Sequence, residues 1–146
     1  MTHADNFGRL KDKLLPPLDR GLAALLDDLA ASGLLDETLI VVTGEFGRTP
    51  KISMLPGASL PGRDHWAPVY SAVFAGGGVR GGQVIGRSDK QAALPVTRSY
   101  RPEDLGATIY HALGVDGAAE VRDTLGRPLR LNGGEPIAAL FSGAAV

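Results

Sequence analysis

Thr38-Leu39-Ile40-Val41-Val42-Thr43, running straight into Gly44-Glu45-Phe46-Gly47-Arg48, is the stretch on which the reading of this chain turns. A short, continuous, β-branched run without polar alternation is how a strand covered on both faces reads. Upstream of it, Leu10, Leu14, Leu18, Leu22, Leu25 and Leu29 recur at intervals of three and four residues, and Leu15 and Leu26 widen the stripe. That spacing predicts an amphipathic helix over residues 7–32. Pro16 and Pro17 fall inside it and, lacking amide donors, are expected to kink or split it near Leu15. Gly33 is its natural C-terminal stop. The stripe reads as core packing rather than as a partner-helix interface. A helix leading through a short loop into such a strand predicts an α/β architecture with a parallel sheet flanked by helices, and residues 69–74 supply a second strand of the same kind.

Between the two strands, residues 44–68 are rich in Gly and Pro and carry Arg48, Lys51, Arg63, Asp64 and His65. Connections longer than about 12 residues are usually functional or disordered. This one starts at the carboxyl end of a strand, where open α/β sheets place their ligands. The run Ala75-Gly76-Gly77-Gly78-Val79-Arg80-Gly81-Gly82 lacks the Gly-x-x-x-x-Gly-Lys-Ser/Thr order of a phosphate cradle, and residues 83–86 after it read as a short strand. It is therefore expected to turn a small β-hairpin. Arg101-Pro102-Glu103-Asp104 opens a second helix, with Leu105, Ile109 and Leu113 on its expected buried face and Gly114 closing it. An irregular C-terminal part follows, with a short segment over residues 125–131 and a last helix over 136–141.

Composition limits the function classes. At 146 residues the chain is long enough for one domain with its own core, and its net charge of −1 includes no basic block. Nucleic acid and anionic lipid are thus not expected as electrostatically recruited partners. No apolar run approaches the ~18 residues that cross a bilayer, so no membrane span is expected. The opening residues lack the basic-then-apolar order of a secretion signal. Cysteine is absent, which removes disulfide and thiolate chemistry. Gly and Pro, 20 and 10 of the 146 residues, are above average abundance but short of low complexity.

With no thiols, a transition-metal or hydrolytic centre has to be built from three histidines and from carboxylates. His111 lies mid-helix and reads as a partly buried structural residue. His65 lies in Gly62-Arg63-Asp64-His65-Trp66, where an acid and an imidazole are neighbours in a glycine-flanked loop. Adjacent Asp and His serve one site as ligand and orienting partner, or point to opposite sides of an extended segment. Glu45, delivered by a Gly-x-x-Gly turn at the end of the strand, is placed to meet a metal or substrate, and Arg48 to hold an anion bidentately. The plainer alternative is that Glu45 and Arg48 pair across the turn.

Several ordered motifs together carry a resemblance: Thr2-His3 with Asn6-Phe7, the helix end Gly33-Leu34-Leu35-Asp36-Glu37-Thr38, Gly44-Glu45-Phe46-Gly47-Arg48-Thr49-Pro50, Gly62-Arg63-Asp64-His65-Trp66, Gly86-Arg87-Ser88-Asp89, and Arg101-Pro102-Glu103-Asp104-Leu105. Across nearly its whole length the chain resembles the bacterial domain of unknown function number fifteen hundred and one, whose members look like relatives of the alkaline phosphatase and sulfatase superfamily. The resemblance implies that residues 1–146 are the C-terminal part of such a domain. It implies a metal-dependent hydrolase of small anionic phosphate or sulfate esters, using a divalent ion such as Zn, Mn, Ca or Mg, with exported relatives. Carried over residue by residue, His3, Glu45, Asp64 and His65 become metal ligands, and Arg48 and Arg63 steer the anion. Met1 stands in the place of the motif's aspartate and Phe46 where superfamily enzymes often carry a second histidine. The nucleophile and the first metal-binding acid are expected upstream of Met1, so that the chain alone hydrolyses weakly or not at all. The alternative is a noncatalytic structural or interaction domain that packs against that upstream sequence or another chain.

Overall fold

A computed structural model describes residues 3–54 and 56–142; Met1 and Thr2, the start of the Thr2-His3 motif, lie outside the described residues. The N-terminal helix follows its expected span. It runs as α1 (Asn6–Arg9), a π-helical turn (Leu10–Leu14) and α2 (Leu15–Ala31). Pro16 and Pro17 cannot donate to the carbonyls four residues before them, and their rings crowd those carbonyls. The helix answers by widening just ahead of them, the Leu15 N–H reaching back five residues to the Leu10 carbonyl. The prolines are thus absorbed as a π turn instead of splitting the helix. At the other end the Ser32 hydroxyl donates to the Asp28 and Leu29 carbonyls. Gly33, at φ 77°, ends the helix as expected and leads into a 3-10 turn (Leu34–Asp36).

The strand that decided the reading forms as β1 (Ile40–Thr43), but its partner is antiparallel. Residues 44–71 contain β2 (Gly47–Arg48) and β3 (His65–Trp66), and β4 (Ala72–Ala75) then returns beside β1 with Ile40 opposite Ala75 and Thr43 opposite Ala72. The expected parallel sheet is therefore corrected among the described residues to small antiparallel pairs in a mixed helix-and-strand fold. The physical reason is the connection. Parallel neighbours need a crossover, usually helical, and the described residues of 44–71 hold no helix but fold back on themselves, β2 pairing with β3. Nor is β1 covered on both faces, since none of its residues is buried and Thr43 is exposed; an unbroken apolar run carries no information on strand direction.

The glycine run after β4 has a different task from the one expected. Gly76, Gly77 and Gly78 all have positive φ, and a Cβ on Gly76 would overlap the carbonyl of Thr38. Gly77 donates its N–H to the Leu35 carbonyl at 2.9 Å. The run therefore carries the chain tightly across the approach to β1, and residues 83–86 form no strand. The hairpin lies later, between β5 (Glu120–Arg122) and β6 (Pro128–Arg130).

The second helix, α3 (Pro102–Ala112), begins with proline in its first turn, as the sequence predicts. Its buried face is not Leu105, Ile109 and Leu113 but Asp104, Ala107 and Thr108, and Leu113 is 68% exposed. The cause is what packs there. Residues 132–140 run along α3 as a narrow strap that leads into α4 (Ala139–Ser142), with Gly134 in backbone contact with Glu103. The Glu135 N–H donates to Asp104 Oδ1 and the Ile137 N–H to Thr108 Oγ1, each at 2.9 Å. Thr108, completely buried, in turn donates to the Asp104 carbonyl at 2.7 Å. His111, expected to be partly buried, is exposed, its ring 5.1 Å from that of Phe141.

Among the described residues the apolar core is small: Ala107, Ile137, Ala139 and Leu140. No residue of α2 is buried, and Leu18 and Leu25 of the leucine stripe are about half exposed. Periodicity states that a face needs apolar company; it does not supply it, and among the described residues nothing covers this face as core. The chain exposes 10134 Å², where a folded monomer of this mass exposes about 7,100 Å². No helix among the described residues is long and apolar enough to cross a membrane.

Asp104 joins the two halves of this C-terminal unit. Its carboxylate accepts N–H bonds from Arg101, at 2.8 Å, and from Glu135, and these hold its pKa below the ordinary 3.8. Asp104→Ala is expected to cost about 1–3 kcal/mol in urea unfolding at pH 7, by leaving two N–H groups unsatisfied. Because the folded pKa is lowered, the stabilisation is complete above the unfolded value and is lost as pH falls through the folded one. The gap between wild type and variant should therefore be steady from pH 7 to 5 and shrink below pH 3.8; a gap that persists there would contradict the assignment.

Candidate functional site

The carboxyl end of β1 delivers Gly44, Glu45 and Phe46, after which β2 turns the chain against β3. This long connection is ordered by a ladder of its own. Gly47 lies opposite Trp66 and Arg48 opposite His65. Ser53 and Gly62 exchange both backbone bonds at 2.9 Å. Thr49 closes the middle, its N–H donating to the Asp64 carbonyl and its hydroxyl accepting the Asp64 N–H at 3.1 Å. The Asp64 side chain is oriented as well, since Oδ1 accepts the N–H of His65 at 2.8 Å. Trp66 donates its indole N–H to the Ala93 carbonyl at 2.7 Å.

His3 arrives from the other side of the sequence. The chain at His3 and Ala4 passes directly over Gly62, where a Cβ would overlap the His3 carbonyl. Asp5 donates its N–H to the Pro61 carbonyl at 3.0 Å, and Asn6, which starts α1, is 1% exposed. A residue near the start of a chain frays unless it is tied down; here the crossing ties it down.

The four residues expected as metal ligands are brought together from three segments. One donor atom each from His3, Asp64 and His65 lies within 4.8 Å of the others. His3 Nε2 is 3.9 Å from Asp64 Oδ1, and the two imidazoles meet edge-to-face with centroids 4.7 Å apart. Glu45 reaches the group through His65, its Oε1 3.4 Å from Nδ1. Phe46 sets its ring 5.2 Å from that of His65. Two imidazoles and a carboxylate are a borderline donor set, suited to Zn or Mn; Ca and Mg favour oxygen ligands throughout. The residues therefore fit a first-row divalent ion, and the side chains are exposed enough for one to enter.

The two arginines expected to steer the anion are placed differently from one another. Arg63 spends Nε on the Thr49 carbonyl, at 2.6 Å, and Nη2 on the Arg48 carbonyl, at 3.1 Å. It is a strut that holds β2 to the loop before β3. Arg48 and Arg63 both line an open cleft of about 270 Å³ together with Phe46, Val69 and Tyr70. Sequence reasoning missed Thr49 and Gly62, the residues that aim Asp64 and admit His3. The only signal for either was the glycine that opens the Arg63-Asp64-His65 motif.

A family model described as "Protein of unknown function (DUF1501)" matches residues 2–141. No curated protein and no solved structure matches the chain.

If the crossing at Gly62 places His3, then Gly62→Ala, which forces the two backbones apart, should abolish the nuclear Overhauser contacts between the His3 and His65 rings. The β1–β4 pairing should survive in the same spectra. Unchanged imidazole contacts in this variant would show that the crossing does not position His3.

Proposed function

The chain belongs to that family of unknown function, and on this premise we propose that His3, Asp64 and His65 form a divalent-metal centre serving hydrolysis of a phosphate or sulfate ester. In this reading the chain is the C-terminal part of an alkaline-phosphatase- or sulfatase-like domain, and the β1–β4 pair is a piece of that domain's larger sheet. One observation carries it: two stretches of chain more than sixty residues apart converge so that two imidazoles and a carboxylate present donors within 4.8 Å. Exposed acids cluster often without a purpose. This cluster is supported by a glycine crossing that a side chain would block and by a carboxylate oriented through a backbone N–H.

When bound, a divalent ion at such a site polarises an ester oxygen and lowers the pKa of a water molecule to about 7 in the case of zinc. The chain's own residues do the rest. Arg48, across from His65, lines the cleft beside the cluster and offers positive charge to the ester's anionic oxygens. Phe46 gives that cleft an apolar wall in contact with His65. Two-metal hydrolysis holds two ions about 4 Å apart, and three ligand residues suffice for one ion only. The reading for this chain by itself is therefore metal binding with little or no hydrolysis.

Calorimetric titration decides it. Zn or Mn should bind with one ion per chain and Mg and Ca more weakly, and His3→Ala and His65→Ala should each lower Zn affinity about tenfold or more. Equal binding by wild type and both variants, or no binding by any, would favour the noncatalytic interaction domain instead.

A further inference from the structure

We propose that Glu45 is a positioning residue of this centre: its carboxylate holds His65 through Nδ1, so that Nε2 is the atom His65 presents to the ion. The proposal rests on the metal-centre reading above. Its footing is geometric. Glu45 Oε1 is 3.4 Å from His65 Nδ1, and Glu45 stands outside the set of donors within 4.8 Å of one another, which His3, Asp64 and His65 make up. Glu45 also comes from a different element. It follows β1 by two residues, so its backbone is referenced to the β1–β4 pair, whereas His65 belongs to β3.

Three groups flank the imidazole, whose side chain stays partly exposed. The His3 ring meets it edge-to-face at 75°, the Phe46 ring at 81°, and Glu45 Oε1 lies 3.4 Å from Nδ1. Two ring contacts restrict tilt but do not choose between the two nitrogens. A carboxylate does choose. A neutral imidazole has one N–H and one lone pair, and the N–H goes to the nitrogen that faces an acceptor. With Nδ1–H directed at Glu45, the lone pair lies on Nε2. The arrangement also assigns a reason for the acid's place directly after the strand: the residue that orients the ligand is fixed by the sheet, while the ligand is fixed by the loop.

The test uses the full chain and three proteins, wild type, Glu45→Gln and Glu45→Ala. The first readout is the His65 tautomer in metal-free protein, from nitrogen-15 shifts of the ring. Wild type and Glu45→Gln, which retains an acceptor oxygen, should hold Nδ1–H, and Glu45→Ala should lose that preference. The second is metal binding. Glu45→Ala should weaken Zn affinity about 10–100-fold, Glu45→Gln should recover most of it, and the visible spectrum of bound Co should have the same shape in all three. A Co spectrum altered in Glu45→Gln would make Glu45 a ligand and overturn the proposal. So would a Glu45→Ala protein with unchanged tautomer and unchanged Zn affinity. Wild-type protein that binds neither Zn nor Co overturns the metal centre itself, and the positioning role with it; the first two results leave that centre standing.

Discussion

Where His3 crosses Gly62, two backbones come so close that no side chain fits between them. The candidate site depends on this contact, because it brings the start of the chain to the ladder formed by residues 47–66. The Asp5 N–H to Pro61 carbonyl bond locks the crossing from one side, and the buried Asn6 begins α1 on the other. Glycine serves the same purpose elsewhere. Gly47 passes under the Val69 carbonyl and Gly76 under those of Leu35 and Thr38. At these positions backbone meets backbone, and the contacts place β1, β2 and the histidine motif relative to one another.

What holds the C-terminal half is of another kind. Asp104 and Thr108 are polar, buried and fully engaged, and they fasten residues 132–140 to α3 through main-chain N–H groups. The neighbouring strap is fixed to the glycine run by the Arg80 N–H and the Gln83 side chain, which share the Leu140 carbonyl. Buried hydrogen bonds of this type are directional and costly to leave unmade. They specify a unique arrangement even where the apolar core consists of a few residues. The counterpart is a surface well above that expected for the mass, with the leucine stripe of α2 half exposed on it.

Much of the secondary structure was legible because its signals are local. The leucine spacing, Gly33, the β-branched run at 38–43 and Pro102 each act over a few residues, and each element formed where its signal stands. The failures share a cause as well. Strand direction, the site of the hairpin and the buried face of α3 depend on partners distant in sequence: on residues 72–75 for β1, on residues 35–38 for the glycine run, and on residues 132–140 for α3. That His3, Asp64 and His65 would be neighbours was not legible, because the motif containing Asp64 and His65 does not name the distant segment that meets it. Nor was their order of contact, because nothing in the motif says that Glu45 meets His65 on Nδ1 or that Thr49 aims Asp64.

By itself, then, the sequence determined the helices, the strand at its centre, and the chemical kinds of donor available. Those follow from short-range sterics, hydrogen-bond inventory and composition. Only the tertiary structure decided that β1 runs antiparallel to its neighbour and that Arg63 is a strut. Only it decided that His3, more than sixty residues from His65 along the chain, lies 4.7 Å from it ring to ring. Those outcomes rest on long-range backbone crossings whose sole local trace is a glycine, and a glycine does not name the segment that will pass over it.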